Sequence, residues 1–201
     1  MAHPFKHLKV VTKHRFLVFT NGCHLGIGFH CLFHDLSKFS KTEFVTSAKY
    51  FKGYMSPVYA ERLDHGYYST ICKHHVGRNK HHWEYYCDLF RGNLVIKTMP
   101  YKYALEYVAD VLSASKTYNP KDYNQASGYN YVKDKLNFYF MTAATKEFLM
   151  WCFETYKDQG FKGLKKKITK EKYNEIIKKH PDTEIYKINL SESDFKPGQL
   201  E

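Results

Sequence analysis

The segment Cys31–Ser40 reads CLFHDLSKFS and puts a histidine and an aspartate side by side at the end of an apolar run. Imidazole and carboxylate groups both bind divalent metal ions. Lys38 lies about one helical turn beyond His34, so its ammonium is expected to approach the same cavity as the pair His34-Asp35. The pair therefore predicts a metal site, whose remaining ligands have to come from elsewhere in the chain.

The sequence on both sides of this pair has the periodicity of α-helices. Apolar residues recur at helical spacing over residues 5–20, and the dipeptide Asn21-Gly22 is expected to end that helix. A second helix is predicted over residues 24–38, which would place the His-Asp pair in its last turn. The segment SKTE, residues 40–43, then fits a capping box and predicts a third helix that ends near residue 53.

The rest of the chain is also predicted to be mostly helical. Residues 54–68 have the composition of a loop, and residues 71–90 are expected to lead into an aromatic helix. Residues 101–118 and 131–157 return to helical periodicity, and DTEIYKINL at 182–190 is the only stretch with strand character. We therefore predict an all-α domain over residues 1–157 and a short, basic, lysine-rich C-terminal extension over residues 158–201.

Length and composition describe a globular protein with one core. The chain has 201 residues, of which 43% are hydrophobic. Its five cysteines are scattered and form no CxxC pair, which argues against a disulfide framework and favours a reducing cytosol. The apolar stretch 16–33 is interrupted by Asn21-Gly22, His24 and His30, which argues against a membrane span. We therefore expect a cytoplasmic protein without membrane attachment.

The positive charge of the chain is concentrated near its C-terminal end. Between Lys162 and Lys179 there are eight lysines against two glutamates, so more than half of the formal net charge of +11 lies in this segment. A basic segment of this kind is a candidate for nucleic-acid binding. The remaining excess suits a protein that handles small anionic molecules. The pattern leaves the oligomeric state open.

Three further parts of the sequence supply candidate metal ligands. His14 has apolar neighbours three and four residues away on either side, so it points into the apolar face of the first helix; a hydrogen-bonded core histidine is the alternative. Asp110 lies among apolar residues in YVADVLSAS and is costly to bury unless it is paired or binds a metal; a solvent-facing position is the alternative. Four more histidines surround a glycine turn, namely His74, His75, His81 and His82.

Along the chain, His14 comes first, the pair His34-Asp35 second and Asp110 last. In this order of residues the chain resembles the HD superfamily of metal-dependent phosphohydrolases, whose ligands follow the order H…HD…D. The resemblance implies an HD-domain-like helical bundle in which His14, His34, Asp35 and Asp110 bind one metal ion. The blocks HDLSKFSKTEF, HHVGRNKHHWEYY and VADVLSASKTY more closely resemble an uncharacterised bacterial and phage family placed in or near this superfamily. That likeness covers about residues 5–155.

The four histidines of the glycine turn raise the number of expected ions. The word HDLSK is similar to HDIGK and HDLGK in the HD-GYP phosphodiesterases and in the inositol-oxygenase branch, which bind two or more metals through extra histidines. The GYP signature itself does not occur here. Because adjacent residues on a helix point about 100° apart, we expect one histidine of each pair to face the site. We favour His75 and His82 as ligands, with His74 and His81 beside the substrate.

Imidazole and carboxylate ligands without thiolate suit one or two divalent ions of Mn, Fe, Zn, Co or Ni. With two ions, Asp35 is the natural bridging carboxylate and takes part in catalysis. Lys38 and Arg78 are the other candidate catalytic groups, because both can hold a phosphate. The candidate substrate-binding residues are Arg78, Asn79, Lys80, His74, His81 and Lys116, and Ser113 and Ser115 are further phosphate-binding candidates.

The sequence thus favours a metal-dependent phosphohydrolase of the HD type that acts on a nucleotide or a related small phosphorylated metabolite. Two alternatives use the same residues. One is an HD-fold diiron oxygenase, which needs the same ligand set. The other is a protein that binds a nucleotide or RNA without cleaving it.

Overall fold

The computed structural model describes residues 3–188, which form a mostly helical body with one small antiparallel sheet. The prediction of a mainly helical chain is confirmed, and the sheet is an addition to the predicted all-α class. Within the described residues the helices are α1 Pro4–His24, α2 Gly28–Cys31, α3 Lys41–Tyr50, α4 Pro57–Asp64, α5 Thr70–Val76, α6 Tyr101–Tyr118, α7 Ser127–Lys135, α8 Ala143–Gln159 and α9 Lys166–Ile177. The strands are β1 Cys87–Phe90, β2 Asn93–Lys97 and β3 Thr183–Lys187.

Helix α1 continues through the dipeptide that was expected to end it. The side-chain amide of Asn21 donates a hydrogen bond to Ser113 Oγ on α6 at 2.9 Å. Gly22 allows the chain to approach closely, since a Cβ atom there would lie 2.5 Å from Cys31 Sγ. The prediction of a break at Asn21-Gly22 was therefore wrong, because both residues serve helix packing. The turn comes later, at Gly26, which has a φ of 75°.

The second predicted helix, over residues 24–38, is also wrong. Only α2 is helical there, and a short 3-10 helix follows at Leu36–Phe39. Between them Asp35 has φ 52° and ψ 32°, in the left-handed region. Aspartate is one of the few residues that tolerates this conformation. The His-Asp pair thus lies in a tight turn between two short helices, not in the last turn of a long one.

The start of α3 confirms one half of the predicted capping box. Ser40 Oγ accepts a hydrogen bond from the backbone N–H of Glu43 at 3.3 Å. The other half was wrong, because the Glu43 carboxylate accepts hydrogen bonds from His74 and His75 instead of reaching back to the cap. Residues 54–68 are not a simple loop either, since they contain α4.

The expected aromatic helix after His82 is replaced by a 3-10 turn at Trp83–Tyr86 and a β-hairpin. Arg91 and Gly92 connect β1 to β2 with φ values of 48° and 74°. Two consecutive positive φ values suit the two-residue turn of a twisted hairpin. Strand β3 pairs antiparallel with β2, which gives the sheet order β1-β2-β3. The strand predicted within 182–190 is therefore confirmed, although its last two residues lie outside the described part of the chain.

Helix α6 forms over residues 101–118, as the periodicity predicted. It packs against α1, α7 and α8, and its buried residues Val108, Ala109 and Leu112 belong to the main core. The single helix expected over 131–157 was wrong, because a 3-10 turn at Leu136–Phe138 separates α7 from α8. The side chain of Thr142 caps α8 by accepting a hydrogen bond from the backbone N–H of Thr145.

The described part of the C-terminal extension packs against the helical body. Leu164 and Ile176 are fully buried, and the Tyr173 hydroxyl donates a hydrogen bond to the Met99 carbonyl at 3.0 Å. Helix α8 runs across the predicted boundary at residues 157/158. The division into two units stays a prediction, and its residues 189–201 lie outside the described range. Over residues 3–188, no helix has both the length and the apolarity to cross a bilayer.

Candidate metal centre

Five segments that are distant in sequence bring histidines and carboxylates to one place. His14 comes from α1, His34-Asp35 from the turn after α2, and His75 from α5. The pair His81-His82 follows α5, and Asp110 comes from α6. These residues form two adjoining groups in which each member offers one ligand atom within 4.8 Å of the others: His14, His34 and Asp110, and Asp35, His75, His81 and His82.

The first group surrounds the Asp110 carboxylate. His14 Nε2 lies 2.9 Å from Asp110 Oδ1, and His34 Nε2 lies 3.8 Å from the same oxygen. His34 Nε2 is also 3.2 Å from Asp35 Oδ2. His14 and His34 are buried. Asp110 is therefore paired within the cluster and is only partly exposed, and His14 is more than an isolated core histidine.

The second group surrounds the other oxygen of Asp35. His75 Nε2 lies 3.3 Å and His81 Nε2 lies 3.6 Å from Asp35 Oδ1. His82 packs directly against His75 and His81, with ring centroids 4.7 Å and 4.3 Å apart. One oxygen of Asp35 therefore faces each of the two groups. Metal ligation itself stays a prediction.

Both histidines of the second pair, and not only His82, lie in this cluster. His81 is 1% exposed, and its Nε2 atom lies 3.7 Å from Asp110 Oδ2. The residues His81-His82 lie outside α5, so the helical rule that one of two neighbours faces away does not hold for them. His81 thus lies among the candidate ligands, whereas the sequence analysis had favoured a position beside the substrate.

Glu106 orients the cluster from behind and was missed in the sequence. His34 Nδ1 donates to Glu106 Oε1 at 2.9 Å, and His81 Nδ1 lies 3.3 Å from the same oxygen. The second oxygen, Oε2, accepts from His30 Nε2 at 2.7 Å. A carboxylate that binds the Nδ1–H of a histidine leaves the Nε2 lone pair free to face a metal. The available signal was the spacing, because Glu106 lies one helical turn before Asp110.

Glu43 plays the same part for the histidines of α5. Its two oxygens accept hydrogen bonds from His75 Nδ1 at 2.8 Å and from His74 Nδ1 at 2.6 Å. His75 Nε2 therefore faces Asp35, and His74 is held outside the cluster by Glu43. In the sequence Glu43 matched a helix-capping pattern, which concealed this role.

Several polar atoms of the cluster have no hydrogen-bond partner among residues 3–188. They are His14 Nδ1, His34 Nε2, Asp35 Oδ1, His81 Nε2 and His82 Nε2. A buried polar atom without a partner is costly and rare, yet four of these five residues, His34, Asp35, His81 and His82, meet around the Asp35 carboxylate. Imidazole nitrogens and carboxylate oxygens in this number fit a divalent transition metal as the missing partner.

Neighbouring charges in the cluster shift the pKa values of His34 and Asp110. Burial disfavours the imidazolium of His34, but the Asp35 and Glu106 carboxylates outweigh it and raise the pKa of His34 to about 10. Burial likewise opposes ionisation of Asp110, while the hydrogen bond from His14 and the positive charge on His34 hold its pKa well below the usual range. The proton on His34 thus balances part of the buried negative charge, a task that a bound cation would take over.

Two basic residues hold the turn that carries the His-Asp pair. Lys38 Nζ forms an ion pair with Asp35 Oδ2 at 2.6 Å. Arg15 on α1 donates from Nε to the His34 carbonyl and from Nη2 to the Leu32 carbonyl, both at 2.8 Å. Lys38 is therefore beside the cluster as predicted, whereas Arg15 was not identified in the sequence.

A cleft of about 910 Å³ adjoins the cluster, and its lining includes His82 and Asp110. Ser115 also lines it, as do Arg62 and Glu84, which the sequence did not suggest. Among the described residues, the lining does not include the predicted substrate groups His74, Arg78, Asn79, Lys80 and Lys116.

The predicted substrate groups have other contacts. Arg78 Nη1 donates to the His74 carbonyl at 3.2 Å, and Asn79 Nδ2 donates to Ser37 Oγ at 2.8 Å. The ammonium of Lys80 lies over the ring of Tyr85, and that of Lys116 over the ring of Tyr123. Ser113 Oγ donates to the Ala109 carbonyl within α6. The substrate-binding roles of these residues stay predictions.

A comparison with protein families identifies the family of this chain. The chain belongs to the family described as Family of unknown function (DUF5662), which matches residues 3–155. This range contains every residue of the two candidate ligand groups. No curated protein and no solved structure matches the chain.

Proposed function

We propose that this member of the DUF5662 family is a metal-dependent phosphohydrolase of the HD type, acting on a nucleotide or a related small phosphorylated metabolite. The proposal starts from the order of His14, His34-Asp35 and Asp110 along the sequence. It is supported by the helical body and by the convergence of these residues in one buried cluster.

One observation carries the proposal. Buried imidazole and carboxylate atoms without partners among residues 3–188 face a common region, and Glu106 and Glu43 hold the rings of His34, His81 and His75 from the opposite side. A purely structural core would not require both the candidate ligands and the two glutamates that hold them, since ionisable groups are costly to bury. The same arrangement is expected where histidines are aligned to bind a metal.

The two groups suggest which residues would hold the ions. His14, His34 and Asp110 would hold one, and His75, His81 and His82 would hold a second, with Asp35 in contact with both. The donor set suits Mn, Fe, Zn, Co or Ni. A divalent ion bound here would polarise a phosphoryl oxygen and lower the pKa of a bound water.

The chain supplies the remaining requirements of phosphoryl transfer. Glu106 accepts a hydrogen bond from His34 Nδ1, so the Nε2 atom of the same ring faces the site and can bind an ion once its proton is displaced. Lys38 provides an ammonium next to Asp35 that can neutralise charge on a phosphate. The cleft gives a substrate access to His82 and Asp110 from solvent. These residues bind, orient and balance charge where the phosphate would lie.

The diiron oxygenase remains the second candidate, because four or more histidines and two carboxylates also suit a pair of iron ions. It predicts bound iron and oxygen consumption, with no release of phosphate. A protein that binds nucleotides without cleaving them predicts neither reaction and no resident metal.

The test is a metal assay followed by a turnover assay. Protein purified without chelator is analysed for Mn, Fe, Zn, Co and Ni, and phosphate release is then measured on mono-, tri- and cyclic nucleotides with each metal added. We expect roughly one or two ions per chain, by the number of ligand groups, and phosphate release that a chelator abolishes. Oxygen uptake without phosphate release would instead support the oxygenase, and metal-free inactive protein would contradict both enzymatic functions.

A further inference from the structure

The cleft beside the cluster extends away from the candidate metal ligands along α6. Its lining includes Asp110, Ala114 and Tyr118 from this helix and Asn119 directly after it. At 1.5 Å per residue, the helix advances about 14 Å from Asp110 to Asn119. A ligand that contacts the metal end can therefore extend by about the length of a nucleotide before it leaves the cleft.

Aromatic rings and uncharged hydrogen-bonding groups form most of the walls. Trp83 stacks on Tyr139 with ring centroids 5.4 Å apart and an interplanar angle of 18°, and both line the cleft together with Tyr107 and Tyr131. Asn124 and Asn130 are among the amides in the lining. Flat aromatic surfaces bind planar rings by stacking, and amides supply both donors and acceptors.

The charge of the lining is unusual for a site that would take several phosphates. Arg62 is the only lysine or arginine among the described residues that line the cleft, and its Nη2 donates to Cys72 Sγ at 3.1 Å. Glu84 and Asp122 contribute carboxylates in addition to Asp110. Glu84 Oε2 is buried and has no hydrogen-bond partner within residues 3–188.

We infer that the cleft takes a phosphomonoester with a single phosphate at the metal end and an uncharged, planar, hydrogen-bonding remainder, the chemistry of a nucleoside monophosphate. This inference rests on the proposed function, since it assumes that the phosphate meets the candidate metal ligands. Each additional phosphate would bring more negative charge towards Asp122 and the buried, unpaired Glu84 carboxyl, and Arg62 is the only lysine or arginine in the described lining that could offset it. Like charges that face one another across a cleft repel.

A binding assay that does not depend on turnover tests the inference. Equilibrium dialysis is carried out with manganese-loaded protein at a fixed free Mn²⁺ concentration, because triphosphates chelate the ion. The ligands are a nucleoside monophosphate, the triphosphate of the same base, a cyclic dinucleotide, ribose 5-phosphate and inorganic phosphate. We expect the monophosphate to bind at least about tenfold more tightly than each of the others.

A pair of matched variants tests the electrostatic argument. Asp122→Lys introduces a cation into the lining, whereas Asp134→Lys makes the same change of charge on the exposed surface of α7, outside the lining. We expect Asp122→Lys to reduce the preference for the monophosphate over the triphosphate by about tenfold, and Asp134→Lys to leave it within a factor of two.

The outcomes separate this inference from the proposed function. Tight monophosphate binding without phosphate release from any nucleotide would overturn the hydrolase and leave the assignment of the cleft in place. Preferred binding and cleavage of a triphosphate or cyclic dinucleotide would overturn the inference and leave the hydrolase in place. If ribose 5-phosphate bound as tightly as the nucleoside monophosphate, the claim that the aromatic lining binds the base would be overturned. If no ligand bound, the inference as a whole would be overturned.

Discussion

At the scale of single residues, Asp35 and Glu106 determine how the cluster is arranged. Asp35 lies in a left-handed turn and turns one oxygen towards each ligand group. Glu106 binds His30, His34 and His81 from outside the cluster. The sequence identified Asp35 because it adjoins a histidine, but Glu106 has no such neighbour and only its spacing from Asp110 marks it.

Changing Glu106 should separate charge from hydrogen bonding. Glu106→Gln keeps an acceptor for His34 but removes the charge, so we expect metal affinity to fall by about 10–100-fold with a folded protein. Glu106→Ala also leaves His34 Nδ1 and His81 Nδ1 buried without a partner, which should lower the free energy of unfolding by about 3 kcal/mol. Metal titration and chemical denaturation of both variants check this. Unchanged affinity in Glu106→Gln would show that the carboxylate does not support the ligands.

Metal affinity should depend on pH in a defined direction. The pKa of His34 is raised to about 10 in the metal-free protein, so the stability from its imidazolium is present below the unfolded value of about 6.5 and lost as the pH rises through about 10. A metal must displace this proton. Between these values we therefore expect metal-free stability to fall and metal affinity to rise, by up to about tenfold per pH unit for one proton. The carboxylates with lowered pKa are already ionised in this range, so they do not change how stability or metal affinity depends on pH. Affinity that is flat or falls with pH would contradict the proton competition.

At the scale of elements, periodicity predicted the long helices better than it predicted the turns. Helix α6 and the Ser40 cap followed from local pattern alone. The break expected at Asn21-Gly22 failed because tertiary contacts to Ser113 and Cys31 override the turn preference of the dipeptide. The left-handed Asp35 and the hairpin at Arg91-Gly92 depend on single backbone conformations, which hydrophobic periodicity does not encode.

Gly22 offers a test of this packing. A Cβ atom at this position would lie 2.5 Å from Cys31 Sγ and 2.8 Å from Cys31 Cβ. We expect Gly22→Ala to lower the free energy of unfolding by about 1–3 kcal/mol in spite of the better helix propensity of alanine. Lys13→Ala, on the exposed face of the same helix, should change it by less than about 0.5 kcal/mol. Thermal or urea denaturation measures both, and a stabilised Gly22→Ala protein would contradict the close contact.

At the scale of the whole molecule, the basic C-terminal segment is part of the fold as well as a source of charge. Helix α9 buries Tyr173 and Ile176, and β3 completes the sheet. Some of its lysines are engaged locally, since Lys172 and Lys179 both pair with Glu175. Nucleic-acid binding through this segment stays a prediction. The sequence alone identified the segment as a basic extension from its lysines. It did not predict that the segment packs on the helical body, because its buried residues are few and widely spaced.

Deletion from residue 161 onward tests the two roles of the segment separately. All residues of the two ligand groups lie before this point. The folded fraction of the truncated protein should therefore still bind metal. It loses the buried side chains of Leu164, Tyr173 and Ile176, which should lower the free energy of unfolding by about 5 kcal/mol. We expect a lower melting temperature that added Mn²⁺ partly restores. A truncated protein as stable as the full chain would show that this packing contributes little.

The central claim is that the cluster around Asp35 binds a divalent metal ion. The most direct measurement is a titration of metal-free protein with Mn²⁺, comparing the native chain with Asp35→Asn and with the surface control Asp134→Asn. Asparagine tolerates the left-handed turn, so Asp35→Asn should stay folded by circular dichroism while losing the charged ligand. We predict roughly one or two ions bound by the native chain and the control, with affinity at least about tenfold lower in Asp35→Asn. A native chain that binds no metal, or an Asp35→Asn chain that binds it equally well, would contradict the account.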